Sequence, residues 1–160
     1  MAFHDYHFFS QWDVQGSAED VYDLLSDPSS YARWWKEAHY SVKILSHGDD
    51  RGVGRTADLE MKGKLPYSLN WRLTCTEAGR PNRFTVVSTG DFVGRGIWTV
   101  LEEKGTVHAT FDWKIRAEKP LLKYLSFLLK PIFARNHDWV MERGEAGLRC
   151  ELAERTKQRD

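Results

Sequence analysis

The sequence predicts an α+β fold in which a seven-stranded antiparallel sheet curves around one long C-terminal helix, with two short helices between strands 1 and 2. Segments of alternating apolar and polar residues recur up to residue 118, mostly joined by short turns, which favours antiparallel pairing. One long segment of helical period then closes the chain over 120–154. A sheet with one apolar face needs a cover, and only this segment is long enough to provide it.

The first strand is predicted over 5–15, where Phe8, Trp12 and Val14 share one face. After residue 38 the pattern keeps a period of two, with a turn at 63–66. Six further strands are predicted, over 39–45, 55–62, 67–77, 83–90, 94–103 and 106–118.

Two short helices are predicted between the first two strands. Ser17 has the side chain and position of a helix cap, and the helix ends near Asp27, which precedes a proline. The second helix, over 29–38, brings Tyr31, Trp34 and Trp35 together. Two adjacent indoles cannot both face one core, so we expect one to pack and the other to face a cavity mouth or solvent.

The closing helix is predicted to be amphipathic and interrupted. Proline is unfavourable inside a helix, so Pro131 predicts a short helix over about 121–129 and a new helix with Pro131 in its first turn. The apolar stripe of the second helix, at a period of 3.6, contains Phe133, Asn136, His137, Val140, Gly144, Gly147 and Leu148, with Met141 at its edge.

Three positions on this stripe are unusual for a buried helix face. Gly144 and Gly147 either let a neighbouring backbone pack closely or leave empty space between helix and sheet. His137, with Asn136 beside it, is either a hydrogen-bonded core residue or a catalytic group.

Length and charge restrict the class of protein. The 160 residues suit one domain over 1–156, with a frayed tail at 157–160. Basic and acidic residues balance at 23 each, so no nucleic-acid surface is expected. The two cysteines, Cys75 and Cys150, are expected to be free thiols.

No targeting or membrane-spanning segment is expected. The N-terminus lacks the pattern of a signal peptide, and no apolar stretch reaches 18 residues. The cytoplasm is therefore the expected location. The segment 121–130 is too short and too charged to cross a bilayer, although it can lie on one.

Aromatic residues are abundant, with seven tryptophans, eight phenylalanines and six tyrosines. They form either a heavy ordinary core or the walls of a ligand cavity. Metal binding is not expected, because His4 and His7 point to opposite faces of a strand.

Three stretches resemble one superfamily: residues 17–35, with a small residue before a helix and then Asp-Pro, Tyr and Trp; residues 94–115, a hairpin with Gly-Trp and Gly-Thr landmarks; and residues 136–149. They are similar to the START-like, or SRPBCC, superfamily, in particular to its bacterial polyketide cyclase/dehydrase-like branch. The resemblance implies a helix-grip fold, and no cofactor is expected. Ring-hydroxylase members bind iron, but no two-His, one-carboxylate set occurs here at matching spacing.

The resemblance further implies a cavity between the concave face of the sheet and the last helix, used for an apolar small molecule. The candidate ligand contacts lie on the sheet face and on the helix face, with Trp34 and Trp35 near the mouth of the cavity. They are Trp12, Trp34, Trp35, Leu59, Tyr67, Trp71, Trp98, Phe111, Trp113, Phe133, Asn136, His137, Val140, Met141 and Gly144.

Three functions follow from these patterns. The first is a carrier or sensor for a lipid, polyketide or aromatic ligand. The second is a cyclase or dehydratase with His137 as acid or base and Asn136 or Tyr67 holding a substrate carbonyl; Asp138 points away along the helix. The third is a protein- or membrane-interaction module at 121–130. No nucleophile motif or P-loop is present, and a homodimer is compatible with the sequence.

Overall fold

The computed structural model describes residues 5–62 and 67–160, and at positions 39, 40, 121, 122, 125 and 126 it describes the backbone alone. The turn predicted at 63–66 lies outside the described residues.

Seven antiparallel strands form a single sheet in the order β1-β7-β6-β5-β4-β3-β2. The strands are β1 Asp5–Gln15, β2 His39–Ser46, β3 Thr56–Met61, β4 Leu69–Gly79, β5 Arg83–Gly90, β6 Phe92–Glu103 and β7 Thr106–Ala117. Consecutive strands from β2 to β7 pair as hairpins, whereas β1 and β2 lie at opposite edges. The connection between β1 and β2 must therefore span the sheet. These elements confirm the predicted fold class.

One face of the sheet is buried, as the alternation predicts. Trp12 and Val14 on β1 are almost fully buried, whereas their neighbour Asp13 is exposed. On β6, the side chain of Trp98 is buried in the core, whereas that of Leu101 is 58% exposed on the outer face.

Two short helices make the connection between the edges. Helix α1, Ala18–Ser26, begins where Ser17 Oγ accepts a hydrogen bond from the Asp20 amide at 3.2 Å. A single 3₁₀ turn, Pro28–Ser30, leads into α2, Tyr31–Trp34. Helix α2 is shorter than predicted because Trp35 already leaves the helical conformation (φ −121°, ψ 43°).

Helix α3 runs without interruption from Pro120 to Arg159, so the predicted break at Pro131 is wrong. Proline removes the hydrogen bond to the carbonyl four residues earlier, here that of Phe127. Phe127 and Ile132 are 63% and 53% exposed, so water can satisfy that carbonyl and the helix can continue. The tail expected to fray is helical as far as Arg159, which donates to the Asp20 carboxylate at 2.7 and 2.8 Å.

The second half of α3 covers the sheet with the predicted stripe, since Phe133, Val140, Met141 and Leu148 are buried. Cys75 and Cys150 are free, as predicted. Within the described part of the chain, no helix has both the length and the apolar character needed to cross a bilayer.

Candidate functional site

A cavity lies between the concave face of the sheet and α3. Its volume, taken as the space open to the centre of a water molecule, is about 90 Å³. One water needs roughly 10–15 Å³ by this measure, so the cavity has room for an organic group. Aromatic and aliphatic side chains form most of its wall, which is the lining typical of a small-molecule site.

Ten of the fifteen predicted contact residues line this cavity: Trp35, Trp71, Trp98, Phe111, Trp113, Phe133, Asn136, His137, Val140 and Met141. They come from α3, from the inner faces of β4, β6 and β7, and from the residue after α2. The other five, Trp12, Trp34, Leu59, Tyr67 and Gly144, are not part of its wall. Trp12 and Leu59 are each 2% exposed and belong to the packed core.

The two adjacent tryptophans are both buried, but only Trp35 lines the cavity. Trp34 and Trp35 are both 5% exposed, and their rings stack at a centroid distance of 5.4 Å with an interplanar angle of 17°. Each indole N–H has an acceptor: Trp34 Nε1 donates to Ser30 Oγ at 2.9 Å, and Trp35 Nε1 donates to the Val140 carbonyl at 2.8 Å. Neither ring faces solvent, because the chain turns at Trp35 and directs both rings inward; Trp34 packs in the core, whereas Trp35 lines the cavity.

The two glycines of α3 allow close packing and do not create the cavity. A Cβ at Gly144 lies 2.5 Å from Trp35 Cε2 and 2.7 Å from the Trp12 ring. A Cβ added at Gly147 would overlap the carbonyl oxygen of Trp34. Both glycines therefore lack room for a Cβ, so the alternative of empty space at these positions is wrong.

His137 lies on the cavity wall without a hydrogen-bond partner. Its side chain is buried, and neither Nδ1 nor Nε2 has an acceptor or donor among the described residues. The nearest carboxylate oxygen, Asp138 Oδ1, is 4.0 Å from Nδ1 and belongs to a side chain that is 78% exposed. Burial lowers the pKa of His137 from 6.5 to about 4, so the imidazole is neutral at neutral pH.

Two further polar groups on the cavity wall share this property. Trp113 Nε1 and Arg55 Nε are buried and have no hydrogen-bond partner among the described residues. Buried polar groups in proteins are nearly always paired. Unpaired polar groups from three separate segments of the chain line this one cavity, which indicates a site that a ligand or water completes.

Sequence reasoning missed eleven residues of the wall: Leu25, Ser26, Pro28, Tyr31, Arg55, Met61, Leu73, Cys75, Phe84, Val86 and Phe92. Met61, Leu73 and Cys75 share the alternating apolar positions of their strands, and this alternation was the available signal for them. Arg55 carried no such signal, because it follows a glycine-rich loop with no periodicity.

The structure describes no cluster of His, Cys, Asp or Glu side chains suited to a metal ion within residues 5–62 and 67–160. His7 contacts Asp112 on the outer face of the sheet, with Nε2 and Oδ1 2.7 Å apart. The other histidine considered with it, His4, lies outside the described residues.

A curved antiparallel sheet that grips one long helix, with an apolar cavity between them, defines the helix-grip fold. Residues 8–153 match the family described as polyketide cyclase / dehydrase and lipid transport. The chain belongs to this family. This result confirms the resemblance found in the sequence.

Solved structures agree on the fold. TTHA0849 from Thermus thermophilus aligns over 89% of this chain and 97% of its own, with a TM-score of 0.71 and 16% identity. A START superfamily protein from Mycobacterium smegmatis aligns over 92% and 97%, with a TM-score of 0.71 and 15% identity. The ZhuI aromatase/cyclase from Streptomyces sp. R1128 aligns over 96% of both chains, with a TM-score of 0.68 and 16% identity. No curated protein matches the sequence.

Proposed function

We propose that this protein binds a hydrophobic small molecule of lipid, polyketide or aromatic type in the cavity beneath α3, as a carrier or sensor. The observation that carries the proposal is an apolar cavity of about 90 Å³ whose wall contains unpaired polar atoms of His137 and Trp113. Apolar burial contributes about 25 cal/mol per Å², and the few polar atoms then orient the ligand. The family description, which includes lipid transport, agrees with this function.

Binding is favoured over catalysis by the state of His137. A general acid must carry a proton, but with a pKa of about 4 the imidazole is neutral at neutral pH. A general base gains from a carboxylate that orients it, and the only one nearby among the described residues, Asp138, is 4.0 Å away and exposed. Tyr67, the second proposed holder of a substrate carbonyl, is not part of the cavity wall.

The test is to fill the cavity. Leu73 lines the cavity and is partly buried, so Leu73→Trp replaces an isobutyl side chain with a larger indole ring in the binding space. The matched control is Leu101→Trp, because Leu101 is exposed on the outer face of the sheet. We expect the neutral dye Nile red to bind the wild type and the control, and to bind Leu73→Trp at least about tenfold more weakly. Equal binding by all three would place the dye elsewhere and contradict the proposal.

Catalysis is tested separately with His137→Gln. A carrier keeps a measurable affinity for Nile red after this substitution, with only the value changed. An enzyme of cyclase or dehydratase type loses turnover of a polyketide substrate while keeping affinity for it. Turnover by the wild type that disappears in this variant would favour catalysis over transport.

A second candidate function, docking on an anionic lipid surface, is favoured by an exposed apolar stripe on α3. Tyr124, Phe127, Leu128 and Ile132 follow the three- and four-residue spacing of one helix face and are 53–74% exposed. Residues 119–135 contain four Lys or Arg and no acidic residue, although the whole chain has no net charge. An apolar face beside basic side chains is the combination that binds anionic membranes.

Vesicle sedimentation tests this candidate. We expect the wild type to bind phosphatidylglycerol vesicles more than phosphatidylcholine vesicles, and Phe127→Asp to release it. Leu101→Asp is the control, because it adds the same charge on an exposed apolar residue of β6. Failure to bind either vesicle, together with self-association at the stripe measured by sedimentation velocity, would assign this surface to a protein contact.

A further inference from the structure

Arg55 is the only Lys or Arg side chain among the described residues of the cavity wall. It directly precedes β3 and is hydrogen-bonded to two other wall residues, Ser26 and Cys75. Strands β4, β5 and β6 lie between β3 and β7, which carries Trp113. On the concave face, the cavity therefore has a cation toward the β3 edge of the sheet and the neutral imidazole of His137 toward the β1 edge.

The guanidinium of Arg55 is only partly satisfied by the protein. Nη1 donates to the carbonyl of Ser26 at 2.9 Å, whereas Nε is buried without an acceptor. None of the ion pairs in the described part of the chain involves Arg55. Arg55 is half-buried. An arginine keeps its charge at all physiological pH values, and burying part of that charge costs free energy that a paired opposite charge offsets.

Two carboxylates near Arg55 in the sequence or the fold are used elsewhere. Asp27 Oδ1 accepts hydrogen bonds from the amide and hydroxyl of Ser29 at 3.1 and 2.6 Å. Asp49 Oδ1 accepts from the amides of Arg51 and Val53, both at 2.9 Å. Both carboxylates hold loop groups through Oδ1, and neither forms an ion pair with Arg55.

We propose that Arg55 binds the carboxylate of an amphipathic ligand whose apolar body lies along the aromatic wall. This inference rests on the proposed binding function and adds the chemical class of the ligand, a hydrophobic monocarboxylic acid. The planar fork of an arginine matches a carboxylate. A single cation on an otherwise apolar wall balances one negative charge, whereas a dianionic phosphate needs more donors than these residues supply.

The test compares two ligands of the same shape, 2-naphthoate and neutral 2-naphthamide, by isothermal titration calorimetry. We expect the wild type to bind the carboxylate about 10- to 100-fold more tightly than the amide, as for a hydrogen bond to a charged group. Arg55→Gln is expected to abolish this preference, so that the variant binds naphthoate and naphthamide with affinities within about threefold of each other. Arg95→Gln, which removes the same charge from an exposed position of β6, is expected to keep it.

Arg55→Lys guards against a folding defect in the glutamine variant. It keeps the charge and loses the fork, so we expect an intermediate preference for naphthoate. A wild type that binds both compounds equally, or an Arg55→Gln protein that keeps the preference, would overturn the inference and leave the binding function standing. If neither compound binds the wild type while Nile red does, the carboxylic acid is the wrong class. If no apolar probe binds at all, the proposed function itself fails.

Discussion

The imidazole of His137 stacks on the ring of Phe8, with centroids 3.9 Å apart and an interplanar angle of 15°. The indole of Trp113 lies nearly parallel to the same imidazole, at a centroid distance of 5.8 Å. Aromatic surfaces thus provide contacts for a ring whose nitrogen atoms have no partner among the described residues. Such surroundings stabilise the neutral imidazole and disfavour the imidazolium.

The first prediction concerns stability against acid. Burial lowers the pKa of His137 from 6.5 in the unfolded chain to about 4 in the folded protein. Between these values the unfolded chain binds more protons, so stability is complete above pH 6.5 and is lost as the pH falls toward 4. We expect this group to remove roughly 2 kcal/mol of unfolding free energy between about pH 7 and about pH 4.5.

Urea unfolding of the wild type and His137→Gln at both pH values measures this contribution. The variant lacks the titrating group, so its loss of stability on acidification should be smaller by that amount. The control is His47→Gln, which replaces an exposed histidine and should keep the loss seen in the wild type. Equal losses in wild type and His137→Gln would contradict a neutral, buried imidazole at this position.

The second prediction concerns the glycines of α3. Alanine is normally the better helix former by about 1 kcal/mol, but here its Cβ has no space. Gly144→Ala is expected to destabilise the protein by about 1–3 kcal/mol because Trp35 and Trp12 must move. Gly147→Ala is expected to cost more, since its obstacle is the Trp34 carbonyl, which is backbone and cannot rotate away.

Thermal unfolding monitored by circular dichroism compares these variants with Glu142→Ala. Glu142 is exposed on the other side of α3, so its substitution should leave stability within about 0.5 kcal/mol. A stabilised Gly147→Ala protein would show that α3 and α2 pack less closely than the structure has them.

The architecture was predictable because most elements keep one period throughout. Trp12 and Val14 alternate with exposed residues on β1, and Phe133, Val140 and Leu148 repeat along α3. These patterns are local, and a sheet with one apolar face has few ways to be covered. The face of α3 that enters the cavity was also predictable, since it is the same stripe.

The remaining features depend on contacts between distant segments. The inward direction of both Trp34 and Trp35 is set by the turn after α2 and by the close approach of Gly144 and Gly147. The position of Arg55 is set by the Ser26 carbonyl, 29 positions earlier in the chain. The continuity of α3 at Pro131 depends on which side of the helix faces solvent. Local periodicity contains none of this information.

The last prediction concerns the size of the cavity. Trp35 lines it, stacks on Trp34 and donates a hydrogen bond to the Val140 carbonyl. Trp35→Phe removes this hydrogen bond, which is worth about 1 kcal/mol, so we expect the protein without ligand to be less stable. It also replaces an indole with a smaller ring, so we expect a larger binding space. Affinity for 2-phenylnaphthalene relative to naphthalene, measured by Nile red displacement, should rise in Trp35→Phe. Trp139→Phe, the same change at a position outside the cavity wall, should leave the ratio unchanged, and a shift of equal size in both variants would refute a role of Trp35 in ligand size.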